Sequence, residues 1–323
     1  MSEPGLVYAA VFDGSGGARQ LDWSGVSAWQ AAQGILWIHL NRESVAAERW
    51  ISDDSHLDPL VCEALMAEST RPRCVQMGEG VMLFLRGVNL NPGADPEDMV
   101  SIRLWVEPGR IVSVRQRRLM SVDDLRASLA QGSGAVDEGD FTVQLAERLV
   151  ARMVDVINDV DDAVDAVQAE VLESGSIRLR SELTRLRHEI IALRRYLAPQ
   201  RDALLRLGQI KPAWLHEEHQ LQLREQADRV TRFVEDLDAA RERAAVTQEE
   251  LGNRLSEQMN TRMYVLSLVA AVFLPLGFLT GLFGINVGGM PLAEDPWGFW
   301  EVSGLLAAIT AIQVLLFRWR GWF

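Results

Sequence analysis

Three groups of residues in this 323-residue chain have types and spacings that could handle cations. The first is an acidic run. Between Met153 and Ile177 there is no Lys or Arg, yet Asp155, Asp159, Asp161, Asp162, Asp165, Glu170 and Glu173 all fall there. On a helix, Asp155–Asp159, Asp159–Asp162 and Asp161–Asp165 are like-charge neighbours that repel by a few tenths of a kcal/mol per pair. Cations collecting there would offset the repulsion; a plain solvated face is the other reading. The second group is HEEH, residues 216–219, where His216 and His219 stand on adjacent helical turns. Such a pair could share a metal, or could simply be the polar start of a helix. The third is GLFGINVGGMP, residues 281–291, in which four glycines flank one uncharged polar residue, Asn286, at the end of a charge-free apolar run. Taken alone, Asn286 could equally be a helix C-cap.

The remaining composition narrows the chemistry. Lys and Arg number 32 against 45 Asp and Glu, a formal net charge of −13. That balance suits cations and argues against nucleic acid, whose phosphates call for clustered Lys and Arg. Cys62 and Cys74 form no CxxC pair, so neither a disulfide scaffold nor a zinc motif is expected, only buried or half-buried thiols. DGSGG at 13–17 lacks both a following lysine and GxGxxG spacing, and reads as a turn. His39, His56 and His188 stand alone and read as structural. No nucleophile–base pattern appears, so neither an enzyme nor an organic cofactor is expected. No long apolar stretch lies in the first thirty residues, which places the N-terminal part in the cytoplasm.

The elements that must position these groups change character along the chain. Residues 6–13 and 34–40 read as strands, and 73–90 and 99–117 as hairpins turning at Gly78–Gly80 and at Pro108-Gly109. Helices are expected near 43–52, 58–68 and 121–130, giving an α/β domain over 1–136. The pattern then becomes helical over 137–262: one helix over roughly 140–172, a second over 176–207 broken or kinked at Pro199, and a third from about Pro212. In the third, Leu223, Ala227, Val230, Val234, Leu237, Ala240, Ala244, Thr247, Leu251 and Leu255 recur every three or four residues. That dry face needs a partner, and copies of the same helix would serve. Residues 263–285 carry no charge and, as a helix, reach about 35 Å, enough to span a bilayer core of about 30 Å. A loop over 286–296, a second span over 297–317 and a tail over 318–323 follow. Arg254, Arg262, Arg318 and Arg320 flank the spans, whereas the loop holds only Glu294 and Asp295. Positive-inside logic puts both termini in the cytoplasm. Trp297 and Trp300 mark one interface, and Trp319 and Trp322 the other.

This architecture, with FLPLGFLTGLFGIN at 273–286, resembles the CorA-type divalent metal ion transporters, whose Gly-Met-Asn motif appears here as Gly284-Ile285-Asn286. The variant is similar to the ZntB branch, associated with zinc. The resemblance implies a homopentameric funnel in the cell inner membrane, with the first span lining the pore and Zn²⁺ as the transported ion. Five Asn286 amides would ring the external mouth, contacting an ion without the trap that a carboxylate ring would make. Gly284 would let the backbone turn there. The family's pore stripe falls on Gly277, Leu274, Ala270, Leu266, Met263 and Asn260. Magnesium members carry a hydroxyl where Gly277 stands, and Gly277-xxx-Gly281 could alternatively be a close-packing face between spans. The stripe holds no strong zinc ligand, so zinc rests on the resemblance, which associates this branch with export and with proton-coupled import alike. A magnesium or cobalt channel of the same type is the near alternative. A two-span signalling protein is the distant one, because only about a dozen residues separate the spans.

Overall fold

The computed structural model describes residues 5–173, 176–285, 291–292 and 295–320. They fall into two compact units, Met1–Glu249 and Glu250–Phe323.

The first unit is built on a seven-stranded sheet: β1 (Leu6–Phe12), β2 (Ala18–Gln20), β3 (Leu36–Asn41), β4 (Arg73–Met77), β5 (Gly80–Gly87), β6 (Val100–Glu107) and β7 (Arg110–Arg115). The order is β2-β1-β3-β7-β6-β5-β4, antiparallel except where β3 pairs with β7. Both hairpins turn where expected, at Gly78 and Gly109, whose φ angles of 60° and 80° suit glycine. The DGSGG turn is closed by Asp13, whose Oδ1 accepts from the Ser15 and Gly17 backbone N–H groups at 2.8 and 2.9 Å.

The strands read as nearly continuous apolar runs because both faces are covered. On one face Ile38, Leu40, Phe84, Trp105, Val112 and Val114 form a core with residues of α1 (Trp23–Ala28), α2 (Val45–Arg49) and α3 (Pro59–Met66). On the other, Trp37 meets Phe141 of α5 (Glu138–Ala151) with ring centroids 4.8 Å apart. β2, α1 and a π-helical turn at Trp50–Asp54 were not expected from sequence. α4 (Met120–Ala130) was.

The helical region differs from expectation in four respects. The single helix over 140–172 is two, α5 and α6 (Met153–Glu173), separated at Arg152. The Arg152 guanidinium is bound to Asp124 of α4 at 2.7 Å. α7 (Leu179–Leu207) runs through Pro199 unbroken. α8 begins at Glu217, not near Pro212, and continues to Gly284. Finally, the dry face from Leu223 to Leu251 is buried within a single chain. α8 is bound to α7 through Arg194–Asp238 at 2.6 Å and Arg187–Gln248 at 2.5 Å, and to α6 through Arg243–Asp161. Its partners are the chain's own helices, so copies of itself are not needed there. α5 packs on β5, and α7 on β4 and β5, so sheet and helices share one unit.

The second unit holds the last part of α8 and α9 (Gly298–Trp319), both long and apolar enough to cross a membrane. They form an antiparallel hairpin. Gln313 of α9 donates from Nε2 to the Ala271 carbonyl at 3.4 Å, and Gly284 and Gly298 line one cavity at the other end.

Candidate ion pathway

α8 presents two faces within the hairpin. Leu268, Ala271, Val272, Pro275, Leu276, Leu279 and Phe283 are partly covered. Asn260, Met263, Leu266, Ala270, Leu274 and Gly277 are all exposed, Leu266 to 70% and Leu274 to 73%. At about 100° per residue these two sets centre on opposite sides of the helix. From Ala270 to Gly277 the expected pore stripe lies within the broader surface that α9 leaves bare, together with Phe273 and Phe278, whereas from 256 to 267 every residue of α8 is exposed. Gly277, Gly281 and Gly284 lie on this bare side as well, and a Cβ placed on any of them would meet nothing within 4 Å. Gly277-xxx-Gly281 thus does not pack against α9. Ile285 is exposed one residue beyond the end of α8. Asn286, Gly288, Gly289 and Glu294 lie outside the described residues.

Sequence reasoning missed Gln313. It joins the two spans through Ala271, and its Oε1 is buried with no partner among the described residues. A signal was there: it is the only amide in the run from 302 to 317. Polar side chains inside spans commonly hold neighbouring helices together.

The acidic residues sit on α6, whose Val156, Val160, Val164, Val167 and Val171 are buried. Asp155, Asp159, Asp162, Asp165 and Glu173 face solvent, while Asp161 and Glu170 are half-buried. The run is not wholly uncompensated. Arg243 of α8 binds both Asp161 and Asp165, the latter at 3.2 Å, and Arg178 lies 3.8 Å from Glu170. A search for cations within the run itself misses Arg243, which reaches it from 82 residues away.

His216 precedes α8 and His219 lies in its first turn, with ring centroids 5.6 Å apart. His219 Nε2 is 3.8 Å from Oδ1 of Asp137, the same oxygen that caps α5 by accepting from Asp140 N at 2.7 Å. This arrangement docks one helix start on another. Among the described residues no group of three or more His, Cys, Asp or Glu could hold a metal.

His39 is fully buried, and its Nδ1 is hydrogen-bonded to Ser113 Oγ at 2.8 Å. Burial, with Arg115 and Arg126 nearby, pushes its pKa down to about 3, so the ring is neutral. Both cysteines are free thiols, Cys62 half-buried and Cys74 buried. Burial pushes the Cys74 thiol up to about 12.

The comparisons with known proteins agree with this geometry. A family model described as CorA-like Mg2+ transporter protein matches residues 32–319. The "Divalent cation transporter CmaX" of Pseudomonas aeruginosa is 39% identical over 99% of this chain and 97% of its own length. The "Zinc transport protein ZntB" of Pectobacterium atrosepticum is 36% identical over 96% of this chain and 93% of its own. The solved structure of full-length CmaX has a TM-score of 0.85, covering 98% of both chains. The CorA magnesium transporter of Methanocaldococcus jannaschii shares the fold over the whole of both chains, with a TM-score of 0.80 at 16% identity. These matches make the chain an ion transporter and not an enzyme: it belongs to the CorA family, on the branch that holds ZntB and CmaX.

Proposed function

We propose that the chain transports zinc through a homopentameric pore in the cell inner membrane, with both termini cytoplasmic. The observation that carries the reading is the bare face of α8 opposite α9. Five copies around an axis would turn Asn260, Met263, Leu266, Ala270, Leu274 and Gly277 inward and leave α9 outside. The Asn286 amides would ring the outer mouth, replacing part of an ion's hydration shell. Below them the stripe is uncharged, and apolar except for Asn260, so no side chain holds a passing ion as a tight chelate. The exposed acids of α6 would raise the local cation concentration on the cytoplasmic side.

Zinc is favoured because a relative 36% identical over most of the chain is named a zinc transport protein. Parallel flux assays in liposomes, with zinc, magnesium and cobalt at equal free concentration, test it. Zinc flux exceeding magnesium flux is expected; robust magnesium flux with none for zinc would move the chain to the magnesium transporters. Repeating the assay across an imposed pH gradient tests proton coupling and direction.

A further inference from the structure

A cluster of arginines in the sheet makes no direct ion pair with a carboxylate among the described residues, and Asp98 offsets the Arg86 charge only from a distance. Phe84 pairs with Arg103, and Arg86 with Ser101, so alternation puts all four side chains on one face of β5 and β6. Arg103 is only 3% exposed and donates to the Leu65 carbonyl at 2.6 Å. Arg86 donates to the Met99 and Thr70 carbonyls at 2.6 and 2.8 Å and stacks on the Tyr196 ring at 4.1 Å. Arg42 reaches the Met66 carbonyl at 3.4 Å, and its Nε is buried without a partner among the described residues.

Among the described residues none of the three has a carboxylate within ion-pair distance. Carbonyl oxygens accept the N–H groups but cancel no charge. Elsewhere in the same unit the arginines do find acids, as in Arg110–Glu107, Arg152–Asp124 and Arg194–Asp238. A buried charge without a counter-ion is costly. Lysine could escape by losing its proton, whereas a guanidinium stays charged. Burial, with Arg42, Arg86 and Arg73 close by, pushes the Arg103 pKa down to about 10, still well above neutral pH.

Arg86 and Arg103 line a cavity of about 80 Å³, joined by Ser101, Gln116 and Arg117. Two acids also line it. Asp98 is already paired with Arg117, and Glu68 is exposed and in no ion pair. The space is large enough for a small anion in place of several waters. Guanidinium forks match the oxygens of tetrahedral anions, and Ser101 and Gln116 add neutral donors.

We propose that this cavity binds a small tetrahedral oxyanion, of the phosphate or sulfate class, which adds counter-charge where three guanidinium groups face two carboxylates. Anion binding there does not depend on which metal is carried. The test titrates inorganic phosphate and sulfate into the full-length protein in detergent by calorimetry, and follows thermal unfolding in parallel. Saturable binding of one anion per chain is expected, with a rise in melting temperature that sodium chloride at matched ionic strength does not give. Arg103→Gln should weaken binding about tenfold or more, equivalent to about 1.4 kcal/mol. Should that variant fail to fold, Ser101→Asp remains informative. Its built-in carboxylate should make the anion-free protein more heat-stable than wild type and remove the response to phosphate. Wild type that responds to phosphate and sulfate no more than to chloride would overturn the proposal, as would Ser101→Asp responding like wild type.

Discussion

Two stretches of α8 carry apolar residues at the same three-and-four spacing and meet opposite surroundings. From Leu223 to Leu251 the stripe is buried by helices of the same chain. From Asn260 to Gly277 it is bare, and from Leu268 onward α9 partly covers the other side. Spacing therefore shows that a face is dry without showing what dries it. In the first stretch each apolar residue alternates with charge, as in Glu235, Asp236, Asp238 and Arg241, so water takes one side and protein the other. In the second stretch no charged side chain follows Arg262, and lipid can serve as one of the neighbours.

The largest effect that tests this contrast is a charge placed in the covered stretch. Val230 is fully buried, so Val230→Asp should cost about 4 kcal/mol or more and abolish cooperative unfolding of the sheet-and-helix unit. Leu266→Asn, on the bare face, should shift that unfolding by less than about 0.5 kcal/mol and alter metal flux instead. Circular dichroism melts and liposome flux on the same preparations measure both. Equal losses of stability would erase the distinction between the two stretches.

A second probe stays within the covered region. His39 titrates near 6.5 once unfolded and near 3 when folded. Between those values the unfolded chain binds the extra proton, so stability rises with pH across that window and is lost as pH falls. Between pH 7 and 5 this contributes about 2 kcal/mol of lost stability. His39→Gln should flatten the dependence, as read from chemical denaturation at the two pH values. An unchanged slope would mean that His39 is not held neutral in the core.

The sheet was legible because hairpin turns have local signatures: Gly78, Gly109 and the apolar runs beside them suffice. The short β2 and α1 were not, because three and six residues carry too little periodicity to register. Of the break or kink expected at Pro199 the break does not occur, because α7 is held by packing along its buried Leu183, Leu186, Ile190, Leu193 and Leu197. Within the proposed pathway, the stripe is an expectation carried by the family pattern and helical geometry. Arg243 and Gln313 could not, since each matters through a partner distant in sequence, Asp161 for one and the Ala271 carbonyl for the other.

The bare stretch can be probed at its mouth. Asn286→Ala should lower metal flux by roughly an order of magnitude while the oligomer still assembles, because an amide ring and not a helix cap is proposed there. Flux assays paired with size-exclusion chromatography decide it. A variant that assembles and transports at the wild-type rate would remove Asn286 from the pathway.

The smallest expected effect concerns the acids of α6, which Arg243 divides into two classes. Asp161 and Asp165 are both bound by Arg243, whose single charge offsets one of the two. Asp155, Asp159 and Asp162 are exposed and form no ion pair among the described residues. If the acids act by gathering cations, the second class is freer to do so than the first. Replacing those three with Asn should lower flux a few-fold at low salt, where charges reach about 30 Å, and much less at 0.1 M, where they reach about 10 Å. Replacing Asp161 and Asp165 should instead cost up to about 1 kcal/mol of stability, as half-exposed pairs do, with little salt-dependent change in flux. Equal loss of flux at both salt concentrations for the first set would reduce these carboxylates to a solvated face.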